Sequence, residues 1–150
     1  MSTMTQSITI VVVEDDPLVG HTLVRQLDRL GYHGHLVRDP LQAPAALEAE
    51  HPALIVSDLN MPECSGVDVL FAARERYPNL KRCLISGSLQ DLQACDLPRI
   101  LPCVILSKPL RLDDLRRLLR ECELPCLEVP DHPAVPLSVV EEPLAALKQS

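Results

Sequence analysis

Four places in this chain carry side chains suited to acid, metal or phosphate chemistry: the run Glu14-Asp15-Asp16, the lone Asp58, the hydroxyl of Ser86 and the ammonium of Lys108. Carboxylates brought together repel one another unless they share a cation, and an all-oxygen set selects a hard ion, for which Mg2+ is the natural choice. A lysine facing a carboxylate holds an incoming phosphoryl oxygen, and a serine hydroxyl donates to the same oxygens. Together these groups suit transfer of a phosphoryl group onto Asp58, forming an aspartyl phosphate. Taken singly, each has a plainer explanation. Asp16 before Pro17 reads as a helix cap, a serine after a strand as a turn, and Lys108-Pro109 as a solvated loop. A site exists only if the fold brings the four places together.

The hydropathy pattern supplies such a fold. Ser7 to Val13 is a β-branched run that predicts a buried strand. Asp16 then caps a helix with Pro17 at its first position, Val19, Leu23, Leu27 and Leu30 at helical spacing, and Gly31 at its end. His33 to Val37 is a second strand, and Asp39-Pro40 repeats the cap-and-proline signal before an alanine-rich helix to about Glu50. Pro44 lacks an N–H for that helix, which therefore kinks or begins near Ala43. Ala53 to Ser57 is a strand running into Asp58, and the loop LNMPECSG leads to a helix bearing Val67, Leu70, Phe71 and Arg74. Cys83 to Ser86 is a fourth strand, Leu89 to Leu97 a weak helix stopped by Pro98, and Cys103 to Ser107 a fifth strand. Leu112 to Cys122 is an amphipathic helix, with Leu112, Leu115, Leu118, Leu119 and Cys122 inward and Asp113 and Asp114 at its positive end.

Five alternating strand and helix units predict an α/β domain: a doubly wound parallel sheet with helices on both faces. Chemistry in such sheets collects at the carboxyl ends of the strands. Glu14, Asp15, Asp58, Ser86 and Lys108 all lie at or just beyond strand ends, so the topology gathers them on one edge.

Composition narrows the function classes. Of 150 residues, only 2% are aromatic against 47% hydrophobic overall, which calls for an aliphatic interior of helices on a parallel sheet. A net charge of −7 provides no basic footprint for nucleic acid, so protein partners are expected. No apolar run reaches the roughly 20 residues of a membrane span, and the first seven residues lack signal-peptide character, which predicts a cytoplasmic protein. Cys64, Cys83, Cys95, Cys103, Cys122 and Cys126 contain no C-x-x-C pair and are expected to be ordinary thiols. From about Leu124, Pro125, Pro130, Pro133, Pro136 and Pro143 end regular structure. The expected organisation is one domain over 1–123 and a proline-rich, mobile tail over 124–150.

The segments VVVEDDP, SDLNMPECSG, LISGS and LSKPL resemble, in order and spacing, the motifs of response-regulator receiver domains over about Ile8 to Glu123. That resemblance implies a flavodoxin-like strand order 2-1-3-4-5, with Asp58 as phosphoacceptor. It implies Mg2+ held by Asp15, Asp58 and the Asn60 backbone carbonyl, with Glu14 acting through a water. Lys108 pairs with the phosphoryl group, Ser86 is the switch hydroxyl, and Gly87 leaves room for the donor, while Asn60 and Ser88 influence phosphoryl lifetime. The implied partners are a histidine kinase or histidine phosphotransfer protein and a downstream protein, with self-association through the face of the fourth helix, fifth strand and fifth helix. Such a protein is a switch rather than an enzyme, taking part only in its own phosphotransfer and dephosphorylation.

Ile105 departs from the pattern, standing three residues before Lys108 where such domains commonly carry a switch Tyr or Phe. Two other readings follow. A phosphate-independent adaptor is favoured by Ile105 and opposed by the intact acidic, hydroxyl and lysine set. A Mg2+-dependent phosphohydrolase with Asp58 as nucleophile is opposed by Asn60, where a second acid is wanted.

Overall fold

The computed structural model describes residues 8–126. The chain runs β1 (Ile8–Val13), α1 (Pro17–Arg29), β2 (Tyr32–Val37), α2 (Ala43–Glu50), β3 (Leu54–Asp58), α3 (Gly66–Arg76), β4 (Lys81–Ser86), α4 (Leu89–Ala94), β5 (Val104–Ser107) and α5 (Leu112–Glu121). All strand pairs are parallel, and the order is β2-β1-β3-β4-β5. The α/β, doubly wound expectation holds, with helices on both faces. On one face, Leu23 and Leu27 of α1 and Leu115, Leu118 and Leu119 of α5 pack on Ile10, Val12, Val56 and Leu106. On the other, Ala46 and Leu47 of α2 and Val67, Leu70 and Ala73 of α3 pack on Val11, Val13, Ile55 and Leu84. Alternate strand residues serve the two faces, which is why Ile10–Val13 of β1, Leu54–Val56 of β3 and Cys83–Ile85 of β4 read as continuous apolar runs.

Local signals explain most boundaries. Asp16 caps α1 by accepting from the amides of Leu18 and Val19 at 3.0 and 3.4 Å. Gly31 takes up a φ of 93° just beyond the helix, a conformation that costs glycine little. Pro44 proves compatible with helix because α2 starts at Ala43, after a single 3-10 turn over Pro40–Gln42. A proline in the first helical turn gives up no ladder bond.

Several expected ends move: β3 begins at Leu54 rather than Ala53, β5 at Val104 rather than Cys103, and α5 ends at Glu121 rather than Cys122. β2 begins at Tyr32 and β4 at Lys81, each earlier than hydropathy alone indicates. In β4 the extension places Arg82 in register with Ile55, where its guanidinium is buried yet donates to three carbonyls: Ile100 at 3.1 Å, Leu80 at 3.1 Å and Pro102 at 3.0 Å. α4 stops at Ala94 rather than Leu97, and a separate 3-10 turn covers Leu97–Arg99. No residue of α4 is fully buried, and only Leu92 packs partly against the core, so packing does little to prolong a helix of weak propensity.

All six cysteines are free thiols, Cys83 and Cys122 within the core. Burial raises the Cys103 thiol to about 12, with Arg82 acting in the opposite direction. Leu124 packs against the α1/α5 side of the core, its amide donates to the Leu119 carbonyl at 2.8 Å, and the Tyr32 hydroxyl donates to the Pro125 carbonyl. The remainder of the 124–150 tail expectation, like Ser7 in the first strand, lies outside the described residues. No described helix is long and apolar enough to cross a membrane.

Candidate phosphoryl and metal site

The site is assembled at the carboxyl edge of the sheet by strand register. Val13 stands level with Ser57, Asp58 with Ile85 and Ser86 with Ser107, so the residues following β1, β3, β4 and β5 emerge together. Backbone bonds fasten their junctions: Glu14 N–H to Val37 at 3.0 Å, Leu59 N–H to Ile85 at 2.9 Å and Lys108 N–H to Ser86 at 2.9 Å.

Glu14, Asp15 and Asp58 each place a carboxylate oxygen within 4.8 Å of the others. The Lys108 ammonium lies 3.0 Å from Asp58 and 3.3 Å from Glu14. Glu14 and Asp58 are nearly inaccessible, at 2% and 6% exposure. Burial raises the pKa of both, reinforced for Glu14 by Asp58; for Asp58, Lys108 works against the rise and Asp15 adds to it. Burial alone would lower Lys108, but contact with Asp58 and Glu14 outweighs it and leaves its pKa raised. This is an over-supplied negative cluster with one compensating ammonium, and its donor set of hard carboxylate oxygens fits Mg2+.

Asp16 turns away from the cluster to its capping role, although its amide donates to Glu14 at 3.2 Å. Ser86 is at the edge, its hydroxyl donating to the Ser88 carbonyl at 2.8 Å and accepting from the Ser88 amide at 3.1 Å. At Gly87, an added methyl would meet nothing nearer than Lys108 Cδ at 3.8 Å, so packing within this chain does not demand glycine there. Ile105 is half-buried beside Leu84 and packs towards the α2/α3 face.

Several supporting contacts escaped the sequence reading. The Asn60 side chain donates to Asp91 on α4 at 2.8 Å, tying the loop after Asp58 to a helix that has no fully buried residue. The local pattern Ser88-x-x-Asp91 is a visible capping signal, and Ser88 accepts from the Asp91 amide at 3.1 Å, but its link to Asn60 is a tertiary contact. Gly66 is more demanding. A Cβ there would sit 2.2 Å from the Asp58 carbonyl oxygen, so only glycine lets α3 start against the end of β3. Gly66 directly follows Ser65, the N-cap of α3, whose hydroxyl accepts from the Val67 amide at 3.1 Å.

A family model described as the response regulator receiver domain matches residues 10–120. The chain belongs to this family. Among curated relatives, this receiver domain is 33% identical over 108 residues to the response regulator receiver protein CpdR of Brucella abortus, covering 71% of this chain and 88% of that protein. It is 32% identical over 117 residues to the sensor kinase CckA of Brucella abortus, covering 77% of this chain, and 32% identical over 117 residues to the sensor protein EvgS of Escherichia coli K12, covering 76%. The chain spans only 12% and 10% of the lengths of those two sensor proteins. Solved structures share the fold: chemotaxis protein CheY4 of Vibrio cholerae, with TM-score 0.70, 21% identity, 78% of this chain and 99% of that one covered. TrrA of Thermotoga maritima, solved in complex with Mg(2+)-BeF, gives TM-score 0.69 and 20% identity, covering 77% and 98%.

Proposed function

We propose that this receiver domain is a phosphorylation-dependent switch of a two-component or phosphorelay system, with Asp58 accepting a phosphoryl group from a phosphohistidine donor. The observation that carries the reading is the buried Asp58 carboxylate held 3.0 Å from Lys108 and clustered with Glu14 and Asp15. The new P–O bond forms to a carboxylate oxygen of Asp58 as the P–N bond to the donor imidazole breaks, and the bonding pair leaves on that imidazole. Lys108 shifts from pairing a carboxylate to pairing a phosphoryl oxygen. Ser86 exchanges the Ser88 carbonyl for the same group, which moves the β4–α4 connection. Gly87 keeps the approach open for the donor.

In this reading Asp15, Asp58 and the Asn60 carbonyl would hold Mg2+, with Glu14 acting through a water, and the ion would supply positive charge for the phosphoryl oxygens. The Mg(2+)-BeF complex of TrrA, a protein of the same fold, supports this assignment. A groove of about 530 Å³ lined by Leu18, Ile85, Gly87, Lys108 and Leu110 opens beside the site, with Leu18 76% exposed, and supports contact with a histidine kinase or histidine phosphotransfer protein. The output passes through the α4–β5–α5 face to a downstream protein or a second copy, Ile105 replacing the usual aromatic reporter. The setting is cytoplasmic, and the chain performs no turnover beyond its own phosphotransfer and dephosphorylation.

The test is the intact mass of the full chain after exposure to a small-molecule phosphodonor. One phosphoryl adduct that disappears in Asp58→Ala and with a chelator is expected. No adduct with any donor would leave the phosphate-independent adaptor as the better reading.

A further inference from the structure

A second cluster of ligating side chains lies away from Asp58, on the edge strand. His33 and His35 alternate along β2 with Gly34 between them. A Cβ at Gly34 would stand 3.1 Å from Val24 of α1, so Gly34 faces α1, and the pleat turns His33 and His35 towards the opposite face, where α2 packs. Glu50 is the last residue of α2, and its Oε2 is 3.7 Å from His35 Nδ1. His51 then adopts φ 47° and ψ 59° as the helix cap, ending α2 with Glu50 over the two imidazoles. One ring nitrogen from each histidine and one Glu50 oxygen all lie within 4.8 Å of each other.

We propose that His33, His35 and Glu50 form a binding site for one divalent transition-metal ion of the Zn2+ class. Zn2+ takes imidazole nitrogen and carboxylate oxygen at roughly 2.0–2.2 Å, which in tetrahedral geometry sets ligand atoms about 3.3 Å apart. The 3.7 Å contact is already near that spacing, and small side-chain rotations close the remainder. Two imidazoles and one carboxylate select a borderline ion, in contrast with the hard oxygen set at Asp58. His33 is exposed while His35 and Glu50 are half-buried, so an ion can enter and keep a coordination position open to solvent. The two sites are separate: Val37 reaches the Asp58 edge through its bond to Glu14, and His33 lies four residues back along β2, roughly 13 Å at strand rise. A bound ion would join the outermost strand to the end of α2. The proposal does not depend on phosphorylation.

The experiment is calorimetric titration of the untagged full chain with Zn2+, in excess Mg2+ to occupy the carboxylate cluster. One equivalent is expected to bind, with affinity falling at least about tenfold in His33→Ala, His35→Ala and Glu50→Gln and unchanged in Asp15→Asn and Cys126→Ser. Circular dichroism verifies that each variant is folded; should one unfold, the other two ligand variants still test the same site. Co2+ in place of Zn2+ is expected to give visible ligand-field bands without thiolate charge transfer. The site is overturned by no saturable binding, by binding that survives His33→Ala combined with His35→Ala, or by binding that is lost with Cys126→Ser.

Discussion

At the scale of single residues, the cluster at the sheet edge stores electrostatic tension. The folded-state pKa of Glu14 and Asp58 is raised by burial and by neighbouring carboxylates. A raised carboxylate favours the fold below its unfolded pKa, near 4, and that contribution is lost as pH rises through the folded value. Metal-free protein is therefore expected to lose stability from about pH 4 upwards until both groups are ionised. Asp58→Asn, which mimics the neutral acid, should flatten that slope and raise the urea midpoint at pH 7 in the presence of chelator; a variant less stable than the parent under those conditions would contradict the balance of charges described. Mg2+ is expected to reverse the order, because it stabilises only the protein that binds it, by about 2.7 kcal/mol at one hundred times its Kd. Gly66 presents a steric rather than electrostatic constraint. With the Asp58 carbonyl 2.2 Å from any added Cβ, Gly66→Ala should cost about 1–3 kcal/mol as an overpacked site and lower the yield of phosphoryl adduct, both measurable on one preparation.

Among the elements, the stretch from α4 to β5 is organised by side chains more than by helical propensity. Arg82 holds the carbonyls of Leu80, Ile100 and Pro102. Arg74 donates to the Arg99 carbonyl at 2.9 Å, while Arg99 pairs with Asp68 at 3.3 Å and lies over the Phe71 ring. Arg82→Met keeps much of the apolar stem but leaves three buried or half-buried carbonyls without their donor, with an expected cost of about 3 kcal/mol. Equilibrium denaturation measures the total, and hydrogen exchange should show the loss concentrated in 95–103; an even loss across the sheet would argue that Arg82 acts only through general packing. The register of a charged residue in β4 was hidden from hydropathy because the pattern penalises charge at buried positions, whereas a guanidinium with its donors satisfied is tolerated there.

For the whole molecule, the proposed output surface is the α4–β5–α5 face. Leu89 and Leu101 remain substantially exposed, at 69% and 45%, while on α5 Arg116 pairs with Asp113 and Arg117 with Glu121 inside the helix. Loading Asp58 with a phosphoryl analogue and Mg2+ is expected to shift sedimentation from monomer to dimer, with Asp58→Asn unresponsive and Leu101→Glu weakening the shift at least tenfold in association constant, about 1.4 kcal/mol. An unchanged monomer in every state would direct the output to a different protein instead.

The order of strands and helices, the cap at Asp16, the start of α2 at Ala43 as one of two expected alternatives, and the convergence of Glu14, Asp15, Asp58, Ser86 and Lys108 were legible in the sequence. Periodicity, proline and cap chemistry act between near neighbours, and a parallel sheet sends every strand's carboxyl end to the same edge. Only the tertiary structure decided that Lys108 touches both Glu14 and Asp58, that Asn60 reaches Asp91, that Gly66 lies against the Asp58 carbonyl and that Glu50 meets His35. His33 and His35 alone show the two-residue spacing of one strand face, but Glu50 comes from another element. Contacts between residues distant along the chain depend on strand register, helix placement and rotamer, which no local pattern encodes.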